Sequence, residues 1–366
     1  MARSLWFLAV MLLVAIEGLA AQDSYYSVRG LGHPSRPIGA RARGSAGAFA
    51  PFDPGSGVNP ATAARVSRLT ASATTLVTNR TVQGAGIDTT LRQTRFPVVS
   101  LTGPFFFKTV YSVRIGPYLA RSHELITIDT VVARGEPIEV RDRYRTDGGT
   151  SDIGFTLARQ LRPNLDVGGS FHALVGSARI AVVRTFADSA YRAYEEEAVE
   201  SFDGLGASVG AIFLPRQELG LSAYIRADGK LETTVDGVTR SVSDLPLTLG
   251  GGVAALIGNE LRFAGAVEWS TWSGADVTAS SFDTFWLAAG LEFGPVLRSV
   301  RLGVRYATLP FGVAEQPTEL AVAGGFGFAF AEGRGGLDFA LERTWRSDSQ
   351  LDEKLWVISA GLTVRP

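Results

Sequence analysis

The chain has 366 residues, with 35 basic and 36 acidic side chains, a net charge of −1, 42 Gly, 21 Phe, 9 Tyr, 6 Trp and no Cys. A charge so balanced, with no basic cluster, excludes nucleic acid as a partner, and the lack of Cys excludes a disulfide-stapled exported domain. Charged residues at 19% fall below the roughly 25% of an ordinary soluble domain.

The chain opens with a basic Arg3, an apolar run from Leu5 to Ile16, and small residues at Gly18, Ala20 and Ala21. This pattern predicts a secretory signal peptide over 1–20, because the run is short of the roughly 20 apolar residues that cross a bilayer. No later stretch is long and apolar enough for a membrane helix, so a helical membrane protein is excluded. An exported chain without disulfides needs another device to hold it together, and a closed β-barrel is one.

Residues 21–63 are rich in Gly, Ala, Pro and Arg and show no sustained period, which suits a tether, an external domain or a plug. The segment ends on Asn59, Pro60 and Ala61. Taken alone, that tripeptide reads as a turn, in which Asn accepts a local hydrogen bond and Pro blocks continued pairing.

From residue 64 to 366 the pattern is that of strands. Fourteen are predicted: 65–82, 88–102, 105–120, 150–162, 165–184, 200–214, 218–229, 244–257, 260–273, 282–294, 297–308, 318–331, 335–346 and 354–365. Connections after even strands are tight, centred on Gly103-Pro104, Pro163-Asn164, Pro215-Arg216, Gly258-Asn259, Pro295-Val296 and Gly333-Arg334; those after odd strands are longer. Short periplasmic turns alternating with longer extracellular loops, with both barrel ends on the short side, are the signature of an outer-membrane barrel with an even strand count.

The third strand carries Gly116 and Pro117 in its outer half; Pro removes a ladder donor there, so the sheet should open or bulge. Ile126, Ile128, Thr130 and Val132, within the loop from Arg121 to Gly149, extend the flanking strands beyond the membrane. The loop from Thr185 to Val199 predicts a short surface helix starting at Asp188, with Tyr191 and Tyr194 on one face.

The 318–331 strand places Leu320, Val322, Gly324, Phe326, Phe328 and Phe330 on one face and Ala321, Ala323, Gly325, Gly327 and Ala329 on the other. That division fits a lipid-facing wall over a crowded interior. Neighbouring strands keep one face apolar but carry charge on the second, and a turn near Gly294 to Arg298 brings Glu292 opposite Arg301 on the inner face. Such cross-strand pairs contribute a few tenths to about 1 kcal/mol and help fix register. Trp269, Trp272, Trp345 and Trp356 near the long-loop ends, with Phe213, Phe293 and Phe330 near the short turns, suit interfacial girdles. The last strand ends Thr363-Val364-Arg365-Pro366, without the terminal aromatic that many barrels present to the outer-membrane assembly machinery.

Enzymatic readings find little support. Ser170 and His172 share an inner face two residues apart, but nothing local supplies an orienting group or an oxyanion site. Without Cys and with three scattered His, no metal site is expected. No cofactor is expected either.

The run from Ala48 to Ala61, ending Asn59-Pro60-Ala61, resembles the end of the hatch in FadL-type transporters of long-chain fatty acids and hydrocarbons. In that family a short Gly- and Ala-rich segment leads into an Asn-Pro-Ala tripeptide before strand one, and the barrel has fourteen strands. The resemblance spans the chain after the signal. It implies an all-β transmembrane antiparallel β-barrel of about fourteen strands with an N-terminal plug, or hatch. It also implies an inward kink in strand three, at Gly116 and Pro117 here, through which an apolar ligand leaves sideways. The expected function is passive uptake of small hydrophobic compounds such as long-chain fatty acids by a monomer in contact with membrane lipid and lipopolysaccharide. The alternatives are a structural or secretion-associated barrel without transport and a general porin. A lumen filled by paired charges with no apolar cavity favours the structural alternative.

Overall fold

The computed structural model describes residues 24–84, 87–275, 280–295 and 298–366. The signal segment expected over 1–20 lies outside the described residues. The first half of the barrel consists of β1 (Thr70–Gly84), β2 (Ile87–Pro104), β3 (Thr109–Ala120), β4 (Glu136–Arg162), β5 (Leu165–Phe186), β6 (Tyr194–Arg216) and β7 (Leu219–Val235). The second half consists of β8 (Leu247–Ile257), β9 (Leu261–Ser270), β10 (Thr284–Phe293), β11 (Arg298–Thr308), β12 (Thr318–Phe330), β13 (Gly335–Ser347) and β14 (Leu351–Val364). Each strand pairs antiparallel with the next, and β14 closes on β1, with Val364 opposite Ala71 and Leu351 opposite Gly84. Closure gives every strand a neighbour on each side, which is the condition for β-structure to span a bilayer.

The period-2 pattern maps onto two faces as expected. Along β12, Leu320, Val322, Phe326, Phe328 and Phe330 are between 39% and 52% exposed, while Ala321 and Ala323 are buried. Exposure here means contact with lipid, so a large apolar outer face is the stable arrangement. The wall is uneven in height. Strands β4, β5 and β6 have 27, 22 and 23 residues, at least twice the roughly 9–11 that cross the bilayer. Residues His123–Ala133 double back on Glu136–Thr146 as a hairpin above the membrane.

Four local expectations are corrected. The first strand begins at Thr70, not 65, because Pro60–Arg65 winds into a 3-10 helix. The β2–β3 turn is at Phe105–Lys108, since Gly103 and Pro104 still pair with Tyr111 and Val110. No helix starts at Asp188: its carboxylate accepts from the Ala190 N–H in a turn, and Tyr194 with the three glutamates that follow belongs to β6. Trp272 is not in a girdle; it is buried against Phe311 beneath the loops.

The segment before the barrel lies inside it. At the loop end Tyr26 packs against Val82, Leu309 and Leu351. A helical turn at Ala40–Arg43 rests on β12, β13 and β14, and Pro60–Arg65 rests on β3 to β6 near the short turns. Small residues on both partners permit this. A Cβ at Gly303 would lie 2.2 Å from the Ser45 carbonyl oxygen, and Ala42, Ala46 and Ala48 of the hatch are fully buried. The crowded, side-chain-poor inner face of β10 to β12 is therefore the seat of the hatch.

Gly303→Leu should push the Ser45 turn off the wall at a cost of about 1–3 kcal/mol, the usual range for overpacking. Limited proteolysis checks this: the variant's hatch should be cut faster while the barrel still migrates as a folded, heat-modifiable species.

Candidate functional site

The lumen is built in layers, and the lowest anchors the hatch. Asn59 is fully buried and caps the Pro60–Arg65 turn, its Oδ1 accepting from the Ala61 N–H at 2.9 Å. Its amide nitrogen donates to Ser222 Oγ at 2.8 Å and to the Ala211 carbonyl at 3.1 Å. One side chain thus ends the hatch and ties it to β6 and β7. Pro60 occupies the first helical position, where its missing N–H costs nothing. Ala61 is buried against the wall, and Gly210 leaves the space that Asn59 fills, since a Cβ there would lie 2.1 Å from Asn59 Oδ1.

On the opposite wall, near the short turns, runs a belt of paired charges. Glu292 and Arg301 are register partners on β10 and β11, joined at 2.6 Å. Glu292 also accepts from Arg262 at 2.6 Å and from the hatch's Arg41 at 3.2 Å, while Arg301 reaches Asp338 at 2.7 Å. A second belt links Arg305 to Glu319 and Glu342, and Arg346 to Glu319 and Glu353, each at 2.7–2.9 Å. The hatch contributes cations to both belts and beyond: Arg29 pairs with Asp348, Arg36 with Glu268, Arg43 with Glu342 and Arg65 with Asp166. Charges this deep persist only when paired.

The opposite wall holds a third network, and it meets the bulge in β3. Gly116 and Pro117 pair with Asp152 and Ser151, after which Leu119 pairs with Thr150, leaving Tyr118 as the extra residue. The Tyr118 hydroxyl donates across the lumen to Asp228 at 2.9 Å. Arg226 joins Asp228 to Asp152, at 2.8 and 2.7 Å. Arg114 joins Asp152 to the Ser56 carbonyl of the hatch, at 3.2 and 3.3 Å.

The same Asp152 accepts from His172 Nδ1 at 2.9 Å, and His172 Nε2 faces Ser208 Oγ at 2.9 Å. A carboxylate can only accept, so Nδ1 carries the proton and Nε2 accepts from the serine. This corrects the sequence pairing, because Ser170 bonds Thr156 at 2.6 Å instead. The order Asp–His–Ser is that of a nucleophilic triad, but two arginines also hold Asp152, and Ser208 sits mid-strand with register partners on both sides, Ser170 and Arg226. Among the described residues nothing supplies an oxyanion site. Ser208 and Asp152 were out of reach of local sequence reading because strand register alone brings them to His172.

One side of the loop end is apolar. Leu31, Leu119, Leu174, Phe202, Leu231, Leu245, Trp272 and Phe311 form a buried cluster at the loop end, with Tyr118 packed against it. Beside this cluster lies a cavity of about 300 Å³ whose lining is largely charged, with Asp152, Arg226, Arg305 and Glu342 among its walls beside Tyr118 and Trp286. The apolar cluster thus takes the bulge side of the loop end, while on the β12–β14 side the charged pairs reach the same end through Glu319, Arg346, Glu353 and Asp348.

Two substitutions probe the lower layers. Glu292→Gln removes the carboxylate shared by the partly exposed Arg41 and Arg262 and by the buried Arg301, which keeps Asp338; breaking the buried pair costs up to about 3–5 kcal/mol, and the urea midpoint in detergent should fall accordingly. Asn59→Ala removes a cap worth about 1 kcal/mol together with buried hydrogen bonds to the wall, each worth about 1 kcal/mol. It should expose the hatch to protease without lowering the barrel's midpoint as far as Glu292→Gln does.

Comparison with known proteins places this architecture. The chain matches over 91% of its length, and 99% of the other's, the structure of a Pseudomonas aeruginosa FadL homologue at 14% identity and TM-score 0.63. The Ralstonia pickettii toluene transporter TbuX matches at 14% identity and TM-score 0.61, covering 90% of this chain and 98% of that one. The P. putida toluene transporter TodX matches at 11% identity and TM-score 0.59, covering 93% and 99%. At these identities the likeness establishes the fold, a closed antiparallel barrel with an N-terminal segment inside it. No curated protein matches the sequence. The BamG family matches residues 1–245, more than half of the chain, and the chain belongs to this FadL-like outer-membrane family.

Proposed function

We propose that the chain is a passive outer-membrane conduit for small hydrophobic compounds, long-chain fatty acids among them. The observation that carries this reading is the division of the lumen. An apolar cluster on one side of the extracellular end adjoins the β3 bulge, while the rest of the lumen is packed with hatch and paired charge. An apolar molecule entering from the loops gains by leaving water, and descending into the charged belts would separate buried ion pairs at several kcal/mol each. The route of least cost is sideways at Gly116 and Pro117, into the bilayer. Asn59, Pro60 and Ala61 act as the hatch anchor, and Glu292 with Arg301 as part of the seal. The closed barrel, filled by its own hatch, functions as a monomer among membrane lipid and lipopolysaccharide. That solved proteins of this fold are toluene transporters supports the substrate class.

A second reading is a rigid barrel whose hatch stays in place and whose tall loops bind protein partners. Two observations favour it: the arginine ties between hatch and wall, and the family name BamG, which hints at a link to outer-membrane assembly machinery. Uptake decides between them. Proteoliposomes carrying the protein should take up labelled oleate several-fold faster than empty vesicles, and equal rates would remove fatty acids as substrate and leave the partner-binding reading. A general porin would show steady ion conductance in planar bilayers; the packed lumen should show none.

A further inference from the structure

The outer surface of the wall is not smooth across β4 to β7. Leu157, Gly169, Val209 and Ile225 are successive register partners on these four strands and face outward, three of them as exposed apolar side chains. One row nearer the short turns come Arg159, Val167, Ala211 and Ala223. Gly169 interrupts the first row and the two alanines lower the second, so the lipid-facing surface sinks into an apolar groove of about 780 Å³. None of the residues lining it belongs to the hatch, which puts the groove on the outside of the barrel.

One charge stands in this groove. Arg159 is the single charged residue of its lining, it is exposed, and its cross-strand neighbours are the uncharged Thr109 and Val167. Because β4 ends at Arg162, Arg159 lies about 10 Å along the strand from the periplasmic turn, within reach of the head groups for a side chain that snorkels. The β2–β3 turn, which runs into Thr109, adds to the same level. Phe106 and Phe107 are 70% and 87% exposed there, followed by an exposed Lys108. Phe107 and Lys108 hold left-handed φ of +54° and +59°, a strained conformation for residues with a side chain. Two bare phenyl rings are costly in water and gain among acyl chains.

We propose that this groove binds one anionic phospholipid of the periplasmic leaflet, with an acyl chain over Gly169 between Leu157 and Val209, its phosphate on Arg159, and Lys108 as a second cation. A guanidinium meets two phosphate oxygens at once, and basic residues beside an apolar surface are what an acidic head group seeks. A wholly apolar occupant would leave Arg159 without a counter-charge against hydrocarbon. A zwitterionic lipid fits less well, because its own cationic group competes for the phosphate. The site is independent of what the lumen passes. Gly169 also gives direct access to it: a Cβ there would meet nothing nearer than 3.7 Å, so a larger side chain fills the groove without moving the wall.

Native mass spectrometry of the full chain in detergent reads the site, with palmitoyl-oleoyl phosphatidylglycerol and the phosphatidylcholine of the same chains as probes. The protein should retain one phosphatidylglycerol at about a tenth of the concentration that phosphatidylcholine needs, the ratio expected of a charge-assisted contact. Arg159→Gln should erase that preference, Arg159→Lys should keep part of it, and Gly169→Leu should abolish retention of both lipids, all with heat-modifiable migration unchanged. Equal retention of the two lipids by the unaltered chain, or a preference that survives Arg159→Gln, would overturn the proposal. Retention indifferent to Gly169→Leu would overturn it too. A lipid-free dimer that Gly169→Leu dissociates would also overturn it, giving the groove to a second copy of the chain.

Discussion

A fourteen-stranded barrel encloses more space than its inward side chains can fill, and that geometric surplus governs the rest of this structure. Eight strands give an interior just filled by side chains, and sixteen or more leave an aqueous channel. Fourteen falls between, so the chain supplies the missing volume from its own N-terminal segment. Filling the space with chain brings a second requirement, because hatch backbone and charges are taken out of water. Each must find a partner. The hatch meets this with arginines aimed at wall carboxylates and with Asn59, whose amide satisfies a turn and a strand pair together. The wall gives way where the fit is tightest, at Gly303 and Gly210.

How much of this the sequence discloses depends on the range of the interaction. Strand number, order and facing were legible because the side-chain period of two is local, and lipid on one side enforces it over ten residues at a time. Alternation alone could not separate a strand that stops at the membrane from one that continues above it, which is why β4 and β6 begin far earlier than expected. Asp188 shows the limit of a capping signal. Its carboxylate does accept a local N–H, but the residues that follow gain more from the β5–β6 ladder than from a helical turn. Trp272 reads as a girdle residue from its height along the chain, yet the strand has ended by then and the side chain turns inward onto Phe311.

The lumen networks are a different matter. Glu292 and Arg301 could be aligned by hand because one tight turn joins their strands, and a hairpin sets register over short range. Asp152, His172, Ser208, Arg226 and Tyr118 come from five strands, and their meeting depends on the accumulated register of the whole wall plus one bulge residue. Sequence showed that Pro117 would disturb the sheet. It did not show that the disturbance rotates Tyr118 inward, across to Asp228.

The bulge and the hatch are therefore parts of one mechanical unit. From Tyr118 the hydrogen bonds run through Asp228, Arg226, Asp152 and Arg114 to the Ser56 carbonyl, so the disturbed strand and the middle of the hatch share a buried polar chain. Such networks act cooperatively, because in a low dielectric each unsatisfied member costs more than the bond it loses. Movement of β3 at its bulge without movement of Ser56 would leave at least one buried guanidinium short of a partner. Between β2 and β3 the described ladder is six residues long, Val99–Pro104 against Val110–Ile115. The structure thus joins β3 to what lies inside the barrel through this polar chain as well as to its neighbours in the wall through its ladders.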